Sequence, residues 1–423
     1  MLNDIKKNVL VFPKLLMYLG FLLLPFLFLK LYKNLTVSDI FFIFSFIFLS
    51  LIIIPVNMKY YFHSIGINNI FLFPICLMGI GFLFSLPNSF FPIESLTAFS
   101  QVIFIFCIVY PLLTLLIETP DMVNKCMTLL AISTSIIAIA ILMFSIFGVD
   151  LSAGLLLLEK GWGGHRFSFG GLEPNVAGRI VLQIIPIFCS FIFLIRLKWV
   201  KIIYFIIILM SLYVVITTGS RSCLLALLCG IILFPNFLKK AKPTISLVKV
   251  YCFMGLLATI VGFYFIKKIE FTDLIERYTT IFSIKSSYSS LQRMNLIDQA
   301  IEYIVKHPFI GAGFENFYLL TDEKINVHNP ILAIWAENGM IAMIGFFLIY
   351  LNIIVICIRS WQNNFFGDIL LMGMTIMAIV MVVGDMFMAN SYKRILWVPS
   401  LLFIHYYNLL KDKNFKIKDL ILT

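Results

Sequence analysis

Residues 41–56 read FFIFSFIFLSLIIIPV, an apolar run without a single charge. A second run, IIYFIIILMSLYVVI, fills residues 202–216. The hydrocarbon core of a bilayer takes roughly 20 apolar residues of helix, so runs of this kind read as transmembrane segments. They recur along the whole chain. Of 423 residues, 61% are hydrophobic and 13% charged, with a mean hydropathy of +1.02. A soluble domain runs near half apolar and about a quarter charged. The membrane domain is therefore the whole of residues 1–423, and no water-soluble reading fits.

Backbone groups in lipid must be hydrogen-bonded within their own segment, so the spans are helices. The expected fold is an all-α integral membrane protein of twelve transmembrane helices. The spans lie near 13–31, 38–56, 68–86, 96–117, 125–147, 174–195, 200–217, 221–237, 246–266, 330–357, 366–388 and 394–410. Two connections are long: a glycine-rich loop over 148–173 and a polar, partly helical loop over 267–329. No internal repeat is visible. The first apolar run lacks the small-residue cleavage site of a secretory signal.

Twelve spans put both termini on one side and both long loops on the other. The terminal side carries seventeen Lys and Arg, and the short connections opposite carry six: Lys30, Lys33, Lys160, Arg166, Lys393 and Arg394. The positive-inside rule then places both termini in the cytoplasm. The net charge of +11 is dispersed between spans, which suits anionic lipid and topology signals better than nucleic acid. The eight cysteines form no CxxC pair and no Cys/His cluster, so neither a disulfide framework nor structural zinc is expected. HExxH is absent as well.

The kind of base differs between the two sides. The cytoplasmic set is fifteen Lys and two Arg, whereas Arg166, Arg179, Arg221, Arg277, Arg293 and Arg394 all lie at or near the external side. Arginine grips phosphate or carboxylate at two points, which a topology signal does not need. For Arg277 and Arg394, pairing with Asp or Glu or snorkelling to headgroups is the preferred reading. Arg221 opens a span in TTGSRS, residues 217–222, after the N-cap residue Ser220. A cation is unfavourable there unless an anion joins it on the free N–H groups. Arg293 repeats the pattern after Ser289-x-x-Gln292, a capping-box spacing. Met294, Ile297, Ile301 and Ile304 follow as an apolar stripe that packs onto the membrane domain, and the helix stops at His307-Pro308. Arg179, five residues inside a span, is a functional candidate unless it snorkels outward.

His328 precedes Asn329, an N-cap residue, and Pro330, a natural first helical residue. It hangs at the external mouth of the tenth span, with Glu337 and Asn338 about two turns further in. A neutral imidazole there could take a proton from a hydroxyl, although a lone histidine is more often structural. Gly311 to Asn316, GAGFEN, lacks the GK[ST] of a P-loop. It reads as a tight turn, with shaping of a cleft as the competing role.

Four ordered stretches together resemble the bacterial O-antigen ligase/polymerase superfamily. They are Gly171-Leu172-Glu173-Pro174-Asn175; Thr218-Gly219-Ser220-Arg221-Ser222; Arg293 with His307-Pro308-Phe309-Ile310-Gly311-Ala312-Gly313; and His328-Asn329 with Glu337-Asn338-Gly339. The resemblance implies a metal-independent membrane glycosyltransferase of the GT-C-like type, without a cofactor. Its donor would be a glycan on undecaprenyl pyrophosphate at the periplasmic face, and 267–329 would be the large periplasmic loop. A polymerase extends lipid-linked repeat units; a ligase transfers the glycan to lipid A-core. Arg221 and Arg293 would hold the pyrophosphate, and His328 would orient or deprotonate the acceptor. Arg166, Glu173, Asn175, Arg179, Asn329 and Glu337 complete the expected substrate-binding set. One departure is Ala342, where ligases carry a small or hydroxyl residue such as Gly; polymerase is the preferred reading, with ligase open. Expected partners are the lipid-linked glycan, the bilayer and a chain-length regulator, and no nucleic acid. A lipid-linked oligosaccharide flippase is the rival class, but it calls for charges deep along a cavity and for repeat symmetry. A non-catalytic scaffold leaves the external arginines unexplained.

Overall fold

The computed structural model describes residues 10–32, 35–65, 70–147, 158–160, 165–167, 173–242, 244, 246, 288–362, 368–388 and 393–422. The helices are α1 (Val11–Leu23), α2 (Val37–Ile65), α3 (Leu72–Ser85), α4 (Pro92–Leu116, with a π-helical segment at Phe104–Val109) and α5 (Pro120–Phe147). They continue with α6 (Pro174–Leu194), α7 (Lys198–Thr217), α8 (Arg221–Ala241), α9 (Tyr288–Lys306), α10 (Pro330–Gln362), α11 (Ile369–Asp385) and α12 (Arg394–Leu422). Among the described residues, seven helices are long and apolar enough to cross a membrane; α1, α11 and the segment Leu72–Asn88 are apolar but shorter. Apart from residue 246, the expected span at 246–266 and the first part of the long loop, 267–287, lie outside the described residues, as does most of 148–173.

Helix starts follow the sequence closely. Pro92, Pro120, Pro174 and Pro330 each occupy the first helical position, where a missing N–H costs nothing. Two expectations need correcting. The span read over 13–31 is helical only to Leu23, because Pro25 cannot donate to the preceding turn. The chain then turns and forms a short hairpin, β1 (Lys30–Tyr32) with β2 (Leu35–Thr36). A second hairpin, β3 (Leu158–Lys160) with β4 (His165–Phe167), lies in the smaller loop, so the fold is helical but not purely so.

Close packing of α6, α11 and α12 builds the centre. From Arg394 to Tyr407, α12 is buried throughout. A helix shielded from lipid by its neighbours can carry polar groups, and here they are paired. Arg394 pairs with Asp39 of α2 and reaches Gln101 of α4 at 3.2 Å; His405 meets the Ile117 carbonyl at 2.7 Å. The expectation that Arg394 serves a local pair holds; Arg277 lies outside the described residues. Small residues let helices approach: a Cβ on Gly81 of α3 would fall 2.6 Å from Ala342 of α10, and one on Gly373 of α11 would fall 2.2 Å from Ser190 of α6.

Candidate functional site

Four helix N-termini meet at one pole of the bundle. At the start of α6, the Asn175 carbonyl lies 3.6 Å from Cys223 Sγ in the first turn of α8, and Gly178 abuts Thr218 just before it. Gly219 takes φ 60° to make the turn, and Ser220 caps α8 by accepting from Cys223 N–H at 3.4 Å. Arg221 is therefore the first residue of its helix, as the sequence predicts. The start of α10 joins them: Asn329 Oδ1 accepts from the N–H groups of Ile331 (3.1 Å) and Leu332 (3.0 Å), which fixes His328 immediately outside the helix. Lys393 stands at the start of α12. Each free helix end adds partial positive charge to this pole.

Glu173 links these ends electrostatically. Its oxygen accepts from Asn175 Nδ2 at 2.7 Å, and its charge acts on both His328 and Lys393. Burial pushes the half-buried His328 down to about 4, the Arg293 guanidinium pushes in the same direction, and Glu173 opposes them. The imidazole is thus neutral near pH 7, and its Nδ1 meets no hydrogen-bond partner among the described residues. Burial also holds the Lys393 ammonium below the usual lysine range; Glu173 and Glu315 counter that, while Arg179 and Lys30 add to it.

The loop preceding α10 forms the floor. α10 breaks at Gly339 (φ 78°), where a Cβ would fall 2.0 Å from the Phe309 carbonyl. Backbone released by the break is taken up by 308–313: Ala312 N–H donates to Ala336 O (3.0 Å), Gly313 N–H to Glu337 O (2.8 Å) and Met340 N–H to Pro308 O (3.0 Å). GAGFEN is thus a segment laid against a broken helix rather than a free turn. The buried Glu337 carboxylate accepts from the Glu315 N–H, and Glu315 itself adopts φ 57°. Both residues line a narrow cavity with Asn326, Val327, Pro330 and Ile334, which lie on either side of His328 in the sequence.

Arg293 approaches from α9. That helix is already formed at Tyr288, so Ser289 lies within it and Arg293 stands beyond its first turn. The packed face also differs from the expected stripe. Leu296, Ala300 and Ile304 are buried, whereas Met294 and Ile301 are exposed. Arg293 shares the packed face, between the directions of Ala300 and Ile304 on a 3.6-residue helix.

His328, Arg293, Glu173 and Asn175 thus come together, with Asn329 acting as a cap and Glu337 below. Arg179 is drawn aside: it is buried, pairs with Asp385 at 2.9 Å and donates to the Met381 carbonyl at 3.3 Å, while Tyr350 donates to the other Asp385 oxygen. Arg166 sits in β4, opposite Glu159; its side chain lies outside the described residues. Sequence reasoning missed Glu315 and Lys393. Lys393 was counted as a topology charge, and Glu315 sat in a presumed turn. Among the described residues, no group of three or more His, Cys, Asp or Glu side chains is arranged to hold a metal ion.

The family described as O-antigen ligase (Wzy_C) matches residues 205–347, a stretch that contains Arg221, Arg293, His328, Asn329 and Glu337. The teichuronic acid biosynthesis protein TuaE of Bacillus subtilis (strain 168) is 27% identical over 180 residues, 39% of this chain and 36% of the relative. The chain thus aligns with little more than a third of that relative's length. Both findings bear out the resemblance to the O-antigen ligase/polymerase-like superfamily.

Proposed function

We propose that this protein polymerises undecaprenyl-pyrophosphate-linked repeat units into O-antigen or a related surface polysaccharide, as a GT-C-like glycosyltransferase of twelve spans. The observation that carries the reading is the meeting of helix N-termini, Arg293 and a neutral His328 at one pole, with Arg221, Arg293 and His328 inside the stretch that matches the family. In the reaction, the acceptor hydroxyl attacks the anomeric carbon. Its proton passes to His328 as the new C–O bond forms. The electron pair of the breaking bond leaves on the lipid pyrophosphate. Arg221, Arg293 and the free N–H groups at the helix ends stabilise that developing charge, a contribution of the kind a metal ion makes elsewhere. Glu173 and Glu337 suit hydrogen bonds to sugar hydroxyls. The lysine count favours cytoplasmic termini and a periplasmic site in the inner membrane. A chain-length regulator is the protein partner this activity calls for.

A second reading, transfer of the finished glycan to lipid A-core, is favoured by the ligase description of the matching family. Gel analysis of surface polysaccharide from a deletion strain separates the two. A core bearing a single repeat unit supports the polymerase. Bare core with accumulated lipid-linked polymer supports the ligase. An unchanged ladder overturns both. Complementation with His328→Ala should fail to restore the ladder.

A further inference from the structure

α9 presents two apolar faces where one was expected. Leu296, Ala300 and Ile304 face inward onto Ala312, Phe317, Val327 and Ala336. On another side, Leu291, Met294, Ile301 and Val305 are 47%, 48%, 46% and 74% exposed. At 3.6 residues per turn these four fall within an arc of roughly 80°, which they share with Asp298. The polar side lies elsewhere: Asn295 bonds Glu323 and Gln299 bonds Asp322, both at 2.9 Å.

The exposed arc does not end with the helix. Phe309 and Ile310 follow, also exposed. The next residue, Gly311, accepts from Asn88 Nδ2 at 3.3 Å, and Phe91 N–H donates to Asn316 at 2.8 Å. That joins the loop to the turn between α3 and α4, where Phe90, Phe91 and Ile93 are exposed. Leu83, Phe84 and Leu96 continue the surface onto the two helices themselves, which are apolar enough to face lipid. One apolar surface therefore runs from membrane helices, across two turns, onto the outer side of α9. Contiguous apolar surface of this kind marks a protein or membrane interaction site.

We propose that the Leu291–Met294–Ile301–Val305 face of α9 lies in the interfacial layer of the bilayer, with lipid acyl chains as its partner. An amphipathic helix in that layer sinks its apolar side about 5–10 Å into the headgroup/acyl boundary. Arg293, on a different face of the same helix, is then held at headgroup level. A consequence that rests on the transferase reading follows: the bilayer itself sets the height of Arg293 at the level where a lipid-borne diphosphate must sit.

Tryptophan substitutions in the full chain, reconstituted into liposomes with brominated phosphatidylcholine, test the placement. Fluorescence is read as the difference from the unmodified chain with its five tryptophans. Val305→Trp should be quenched about twofold or more relative to Glu302→Trp on the polar side. Ile301→Trp, in the same arc, replaces Val305→Trp where the latter fails to reach the membrane. Equal or weaker quenching in the arc overturns the proposal, whether water, another part of the chain or a second copy covers the face. Quenching requires no activity. Strong quenching together with normal transfer by Arg293→Ala would therefore sink the transferase role and leave the lipid contact standing.

Discussion

The two poles of the bundle are both basic, yet they are built in opposite ways. At one pole Lys239, Lys240 and Lys242 end α8, where cations suit the negative end of the helix dipole. Lys240 lies 4.6 Å above the Trp361 ring and Lys242 lies 5.6 Å from Phe193, so their stems and charges rest on aromatic surface. At the other pole Arg221 and Lys393 stand at helix N-termini, where a cation is disfavoured, and Arg293 adds to the burial that keeps His328 neutral. The first pole is electrostatically relaxed; the second is loaded. Relaxed charges serve stability and topology. Loaded ones gain stabilisation when an anion arrives.

The sharpest way to break this contrast is by activity. Arg221→Ala, Arg293→Ala and His328→Ala should each lower glycan transfer by about 10²–10³-fold, the scale of losing a group that stabilises developing charge. Lys239→Ala and Lys240→Ala should leave it within about twofold, as expected of surface charges. Transfer measured in membranes from each variant at matched protein levels checks both. Comparable losses at the two poles would erase the distinction.

Stability should split differently. Asp385 holds Arg179 and accepts from Tyr350 in a fully enclosed site, so Asp385→Asn leaves a buried guanidinium without its counter-charge. A loss of about 3–5 kcal/mol is expected from breaking such a pair, read as a lower Tm in detergent. An unchanged Tm would mean that Arg179 finds another anion and belongs with the loaded groups. Gly339→Ala should cost about 1–3 kcal/mol from left-handed strain, plus displacement of the Phe309 carbonyl. A wild-type Tm there would show that the break in α10 relaxes without consequence.

Much of the loaded pole could be read from sequence because its markers are local. Ser220 before Arg221 and Asn329-Pro330 after His328 are helix-start signals whose chemistry acts within a few residues, and both caps form as expected. Glu315 and Lys393 could not be read, because their importance comes from contacts across the bundle. Lys393 matters through Glu173, some 220 residues earlier in the chain (393 − 173). The arc on α9 was misassigned for a related reason. Periodicity shows that apolar residues share a side of the helix, but which side meets protein depends on Ala300, a residue too small to stand out in the pattern. The early end of α1, by contrast, was available in Pro25, which hydropathy alone passes over.

The smallest effect is the most specific. With His328 at about 4, below its ordinary 6.5, the acidic limb of kcat/KM should lie near pH 4, since that limb reports the free enzyme. Glu173→Gln removes the carboxylate that, among the described residues, opposes burial and Arg293, and should move the limb further down, by less than about one unit. Stability carries the same sign. A histidine kept neutral contributes fully above 6.5, and its contribution is lost as pH falls from 6.5 toward 4, because the unfolded chain takes up the proton first. His328→Gln should therefore flatten the fall in Tm across that window. The kcat limb, which reports the enzyme with donor bound, should lie above the kcat/KM limb, because a diphosphate beside the imidazole favours its protonated form. The reverse order would separate His328 from the leaving group and leave the loaded pole as an anion site without a base.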